Sequence, residues 1–408
     1  MKKKIISDVI LNMAATFIPM FVLQFVILPR VARDISAELY GQLLAAIAFV
    51  FLVSSTFGSA LNNSKLIHFN KYIETDIDKD YNMMLSIFLP ANIIIMIFGM
   101  NYYGNEFDLL TSLSLILSSI ILLVNTYLSV EFRINLNFKN ILISGVMLFI
   151  GYVIGYVLFT LTANWSLIYL IGFTTNLLYI LSKTKVLKRK PKKTNMFKTT
   201  FYETSFLLGS GFLASLGTYI DKLIIFPLLG GAVVSVYYTS TILGKTIALA
   251  IGPITGVLLS YLAHMKVFNK TRFKTLLSIS LFLGGLGYVI ILLVSRPILT
   301  LVYPQYIEES MNYISVTTLS TILVVIATVI NPVLLKFKAA KWQIIINIVY
   351  IILYIALGII LLGIYGLIGF CIGILVANIA KLIFMIIVYY YVREIPTIRK
   401  TSEVYQNE

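Results

Sequence analysis

The sequence predicts an all-α integral membrane protein of about twelve transmembrane helices. Three observations carry that expectation: the composition, apolar runs that recur from end to end, and basic residues kept to one side of those runs. Hydrophobic residues make up 59% of the 408-residue chain, charged residues only 12%, and mean hydropathy is +0.94. Soluble domains are about half apolar and about a quarter charged. A water-soluble fold is therefore excluded, and no polar stretch is long enough for a separate extramembranous domain.

One crossing takes about 20 apolar residues, because each helical residue rises about 1.5 Å through a core about 30 Å thick. Such windows fall at 8–29, 41–61, 81–100, 109–130, 141–161 and 165–182, and, after a basic segment, at 203–229, 232–262, 276–295, 311–335, 342–362 and 365–391. The first runs as far as Pro29 with no small-residue cleavage site behind a short apolar core, so it reads as a permanent helix and not a signal peptide. All are read as helices, since an open sheet would leave backbone groups unpaired in lipid. The segment KTKVLKRKPKKTNMFK divides them six and six. The predicted units are a six-helix lobe over 1–182, a basic linker over 183–200 and a second six-helix lobe over 201–408.

Cytoplasmic loops are enriched in Lys and Arg. With both termini placed inside, only Arg30, Arg33 and Arg296 of the 32 basic residues fall on outer segments, and only Lys222, Lys245 and Lys381 fall within spans. The remainder lie on inner segments, among them Lys65, Lys71, Arg133, Lys266, Arg393, Arg399 and Lys400. This spread accounts for the net charge of +15 without nucleic acid, which would call for one basic domain interleaved with stacking aromatics. Tyr102, Tyr103, Tyr303 and Tyr306 stand at span ends, as an interfacial belt requires.

One cysteine, Cys371, permits no internal disulfide and reads as packing. Two histidines, His68 and His264, lie in polar connections and leave little material for a metal centre or for histidine catalysis. No enzyme, metal or cofactor is expected.

A weak internal echo joins the halves. Ile27-Leu28-Pro29 precedes Tyr40 by the same spacing that separates Ile225-Phe226-Pro227 from Tyr238, and this register sets Gln24 opposite Lys222. Parallel repeats about an axis along the membrane normal would give this pattern. Charges within the bilayer are costly and normally face protein or a watery cavity. Lys245 lies near mid-depth of the eighth span, too deep for easy snorkelling; it is expected in a cavity or against a partner on a neighbouring helix. Lys222 adjoins Asp221, which neutralises it or exchanges a proton or cation. Lys381 faces the lumen or snorkels. Gly209, Gly211 and Gly217 permit close helix approach on the seventh span.

The stretches ILPRVARDISAELYGQL (27–43) and YIDKLIIFPLLGGAVVSVYYTSTILGK (219–245) resemble the starts of the two halves of bacterial polysaccharide-repeat-unit flippases, the Wzx-like family of the multidrug/oligosaccharidyl-lipid/polysaccharide exporter superfamily. The resemblance covers essentially the whole chain in length, span count and basic middle linker. One departure is Ser235, where that family often has glycine, which leaves close helix approach open at that point.

The resemblance implies two six-helix lobes around a central cavity. It also implies alternating-access transfer of an undecaprenyl-pyrophosphate-linked oligosaccharide from the cytoplasmic to the outer leaflet of the bacterial cell (inner) membrane, for O-antigen or capsule synthesis. Polysaccharide polymerase and glycosyltransferases would be its partners, and ion coupling to H+ or Na+ is common in the superfamily. On that reading Lys245, Lys222, Lys381, Arg30 and Arg33 are candidates for the pyrophosphate, and Asp221, Asp8 and Glu203 for the coupling ion. The competing readings are a cation-coupled multidrug exporter of the same superfamily, which would set acids in its binding lobe, and a peptidoglycan lipid-precursor flippase, which usually has two further helices. A membrane polymerase or ligase would need a large external loop, and the outer loops here are short.

Overall fold

The computed structural model describes residues 2–72, 76–103, 107–263, 265, 268–338 and 340–392. The terminal group Arg393, Arg399 and Lys400, together with Lys266 and His264, lies outside them. Among the described residues the chain is helical with no strand.

The helices are α1 (Ser7–Asp34), α2 (Ala37–His68), α3 (Ile77–Tyr103), α4 (Leu109–Ile134), α5 (Phe138–Thr162), α6 (Ser166–Lys183), α7 (Phe197–Leu229), α8 (Gly231–Ala263), α9 (Lys270–Val302) and α10 (Ile307–Phe337). A last helical run, Ala340–Tyr391, is 52 residues long and too long for one crossing. It breaks at Gly366, whose φ of 64° and ψ of −146° reverse the chain between α11 (340–365) and α12 (367–391). Ten described segments are long and apolar enough to cross a membrane. The last of them contributes two helices, and the 33 residues of α8 supply one more, which makes up the dozen expected.

Short polar residues start several helices where the loops return the chain. Ser36 Oγ accepts from Leu39 N at 3.2 Å, Asp108 from Thr111 N at 3.2 Å, Asn137 from Asn140 N at 3.2 Å and Asn269 from Arg272 N at 2.9 Å. Each satisfies an amide that the first turn would otherwise leave unpaired. Only glycine adopts the Gly366 backbone without strain. Gly366→Ala is therefore expected to cost about 1–3 kcal/mol, seen as a lower unfolding temperature in detergent; an unchanged melt would mean that the reversal tolerates a side chain.

Helices of the first half pack on one another: α5 on α6, α1 along α5, and α2 against α3 and α4. In the second half α10 packs on α8, α9 and the α11–α12 run. The seventh helix joins the two. It follows the linker in sequence, yet it lies along α2: Thr204 Oγ1 meets Ser64 Oγ at 2.6 Å, Thr56 Oγ1 donates to Ser215 Oγ at 3.0 Å, and Tyr219 stacks on Phe51 with centroids 6.0 Å apart. The glycines of α7 do not make this contact. A β-carbon at Gly209 would meet nothing within 4 Å, and one at Gly211 would first touch Thr56, at 4.0 Å. The polar side chains hold the helix on α2, and Gly217 instead faces α11, where a β-carbon would lie 3.4 Å from the Tyr350 ring.

The end of the bundle that carries the linker is termed the basic end, and the opposite one the far end. At the basic end buried Lys65 binds Asp78 at 2.7 Å and Glu131 at 3.0 Å. The linker is fastened there too. Asn82 Nδ2 donates to the carbonyls of Val186 and Arg189, both at 2.8 Å, and Asp80 accepts from Thr194 N at 2.7 Å. These bonds place a strongly basic segment against α3, so it is folded structure and more than a charged tether.

At the far end the two halves meet backbone to backbone. Gly41 of α2 lies so close to Gly231 of α8 that a β-carbon on either would overlap main-chain atoms of the other helix. The Glu38 carboxylate accepts from Gly231 N at 2.6 Å and Ala232 N at 2.9 Å, which caps α8 from the other half of the chain. Ser235, the departure noted in the sequence, donates to Ala37 O at 2.7 Å and so takes part in a tight approach. Tyr40 is fully buried beneath, its ring centroid 6.3 Å from Tyr238 and 6.0 Å from Tyr306, its hydroxyl 3.3 Å from that of Tyr303. Tyr40 and Tyr238, paired by the internal echo, thus meet edge to face across the contact between α2 and α8.

Candidate functional site

Below this closure α1, α7, α8, α10, α11 and α12 surround a cavity of about 330 Å3. Its charged members come from two helices. On α7, Asp221 is 3% exposed and Lys222 9%. Adjacent residues on a helix point about 100° apart, yet the Lys222 ammonium bends back to 3.7 Å from Asp221 Oδ1, and that oxygen also accepts the Lys222 amide at 2.8 Å. On α8, Lys245 donates its ammonium to the other oxygen, Asp221 Oδ2. One carboxylate thus faces two ammonium groups, and the cluster carries a net charge of +1 with all three side chains ionised.

Tyrosines complete the walls. The Lys222 ammonium lies 5.9 Å from the Tyr238 ring centroid, that of Lys245 lies 5.6 Å from Tyr237, and that of Lys381 lies 4.1 Å from Tyr350. The electron-rich ring faces supply part of the counter-charge that water would give outside. Gln24 reaches the cavity from α1, where its Oε1 accepts from Thr246 Oγ1 at 3.2 Å. The register that set Gln24 opposite Lys222 therefore corresponds to two residues that both line the cavity.

The other sequence candidates are placed as follows. Lys381 does not line the cavity, but it sits behind the Tyr350 wall. Arg33 is exposed at the far end and donates to Leu301 O at 3.0 Å, which ties α1 to α9; Arg30 is exposed over the Tyr156 ring at 5.9 Å. Neither arginine reaches the cavity. Glu203 lies at the basic end, bound to His68 and 3.7 Å from Lys71. The other His68 nitrogen meets Tyr81 OH at 3.0 Å, so this histidine serves the seam between α2 and α7. Asp8 is half-buried on α1 and does not line the cavity. Cys371 is buried in the cavity wall. Among the described residues no three His, Cys, Asp or Glu side chains gather as a metal site.

Sequence reasoning missed the neutral part of the site. Ser320 on α10 and Asn378 on α12 line the cavity together, and Tyr237, Tyr350 and Tyr354 form its aromatic side. The signal that could have found Asn378 is present: it is an amide in an otherwise apolar span, three residues before Lys381 and on the same side of the helix.

No protein-family model and no curated protein sequence matches the chain. Solved structures do. The fold is similar to that of the lipid II flippase MurJ in its inward closed conformation, with a TM-score of 0.73 at 16% identity over 95% of this chain and 87% of that one. It is also similar to an inward-facing multidrug resistance MATE family transporter of the MOP superfamily, at 0.64 and 13% over 93% and 94%. A third is the Vibrio cholerae MATE transporter VcmN in the bent form, at 0.58 and 14% over 95% of each chain. The chain therefore has the helical architecture of these transporters.

Proposed function

We propose that the protein is a flippase that carries a polyprenyl-pyrophosphate-linked oligosaccharide repeat unit from the cytoplasmic to the outer leaflet by alternating access, with glycosyltransferases supplying its cargo and a polymerase consuming it. The single observation that carries this reading is the unbalanced ion cluster. A buried cation without its own counter-ion is costly, and Asp221 contacts both lysines but brings one negative charge against their two positive ones. A pyrophosphate brings the missing negative charge, and its lipid tail can remain in the bilayer while the headgroup crosses. The likeness to a lipid II flippase supports the same direction.

The cluster weighs against export of cationic drugs. Tyrosine faces attract cations, but here three of them already hold lysines. A cationic cargo would have to displace an ammonium tethered to the protein. A peptidoglycan lipid precursor carries the same pyrophosphate and is the second reading, favoured by the fold it shares with MurJ. Of the acids, Asp221 is the one placed to couple transport to H+ or Na+, because it alone of Asp221, Asp8 and Glu203 lines the cavity.

Two measurements test the proposal. Deleting the gene from its host is expected to accumulate lipid-linked repeat units on the cytoplasmic side; accumulation of peptidoglycan precursor would select the second reading. Lys245→Ala is expected to cut export at least tenfold, since a charge-assisted contact contributes about 1.5–3 kcal/mol, with the protein inserted at normal levels. Normal export by a well-expressed variant would remove Lys245 from the mechanism.

A further inference from the structure

Resting on the reading of a lipid-linked saccharide cargo, we propose that the α10–α12 wall of the cavity is a sugar subsite, in which Asn378 and Ser320 bind the hydroxyls of the saccharide next to the pyrophosphate. Asn378 is 3% exposed. Its amide donates to Ser320 Oγ at 2.7 Å, while its Oδ1 has no hydrogen-bond partner. A buried polar group left unpaired costs about 1–3 kcal/mol, so Asn378 Oδ1 in the cavity wall marks a place where a ligand supplies what the protein does not.

The chemistry of that ligand follows from what the wall offers. Asn378 Oδ1 only accepts, so it repels phosphate oxygens and takes a hydroxyl or amide hydrogen. Ser320 accepts from Asn378 and retains its own O–H to donate. Alternating donors and acceptors match the hydroxyls of a sugar ring. Tyr350 and Tyr354, with centroids 5.7 Å apart and planes at 76°, give the cavity two aromatic walls at an angle, against which the C–H faces of a ring can lie. An apolar cargo would bury the same atoms and leave them unpaired, which disfavours it. The lysines and the neutral wall thus divide the headgroup: charge to α7 and α8, hydroxyls to α10 and α12.

The test uses the full chain purified in detergent and calorimetric titration with farnesyl pyrophosphate and with farnesyl-pyrophosphoryl glucose, galactose and N-acetylglucosamine. At least one sugar-bearing probe is expected to bind about tenfold tighter than farnesyl pyrophosphate, about 1.4 kcal/mol. Asn378→Leu is expected to abolish that difference, and a retained thermal unfolding transition in detergent shows that the variant is folded. Ser320→Ala, which removes one hydroxyl from the same wall, is expected to reduce the difference severalfold. Equal binding of all probes by the unsubstituted protein, or a sugar difference that survives both substitutions, overturns the subsite and leaves the anionic-headgroup reading standing. Failure to bind farnesyl pyrophosphate at all overturns both.

Discussion

Asp221→Ala is expected to destabilise the protein by about 3 kcal/mol, because it leaves Lys222 buried with no carboxylate. Losing one member of a buried ion pair costs about 3–5 kcal/mol in general, and the lower figure applies where the Lys245 side chain, 34% exposed, still reaches cavity water. The cost belongs to the stranded charge and not to the missing carboxylate as such. The triple variant Asp221→Ala, Lys222→Met, Lys245→Met is therefore expected to recover most of the lost stability while exporting nothing, since a buried pair replaced by apolar residues of similar size is often neutral. Thermal unfolding in detergent reads the first effect, and surface polysaccharide reads the second. If the single variant melts like the unsubstituted protein, the cluster is hydrated and the argument from an unanswered buried cation fails.

Gly41→Val is expected to keep the far end from closing. The β-carbon it adds falls on the Gly231 carbonyl, which is backbone and cannot turn aside, and the same closure brings Gly231 against the Glu38 main chain. Overpacking costs about 1–3 kcal/mol even where side chains can give way; with backbone on both sides the upper value is the minimum, a shift on the order of a hundredfold in favour of open forms. A cysteine at Thr241 in a Cys371→Ser background reports it, since Thr241 lines the cavity. A membrane-impermeant maleimide added from the far side is expected to label it rapidly in the Gly41→Val protein and slowly without that substitution. Equal labelling in both would show that the far-end contact is not the barrier.

Much of the fold is legible in the sequence because lipid imposes a single solution for the backbone, and length and apolarity then count the helices. What the sequence hides is where α7 lies. It follows the linker and so reads as the first member of the second half, but Thr204, Ser215 and Tyr219 commit it to α2, and small polar residues in an apolar span give no direction of their own. At the site, Asp221, Lys222 and Lys245 stand out because charge in a span is rare. That Asp221 bridges both lysines is a tertiary fact, since Lys245 belongs to the next helix. Arg30 and Arg33 resemble ligands in one dimension because they are basic and near a span end; in three dimensions Arg33 spends its guanidinium on Leu301. Asn378 and Ser320 were overlooked because uncharged polar residues are common in helices that merely pack.

One residue of α1 belongs to two parts of the molecule at once. Between Leu23 and Ile27 the helix widens into a π turn, and the Leu28 amide bonds back to Leu23 O. The next amide along would serve Gln24 O, but it belongs to Pro29, which has no hydrogen to give. That carbonyl instead accepts the Tyr303 hydroxyl at 2.9 Å, within the tyrosine cluster that seals the far end, while the Gln24 side chain borders the cavity. A missing proton on an imino acid thus rivets floor to lid, and cargo that pulls on this amide side chain pulls, through a single peptide unit, on the seal above it.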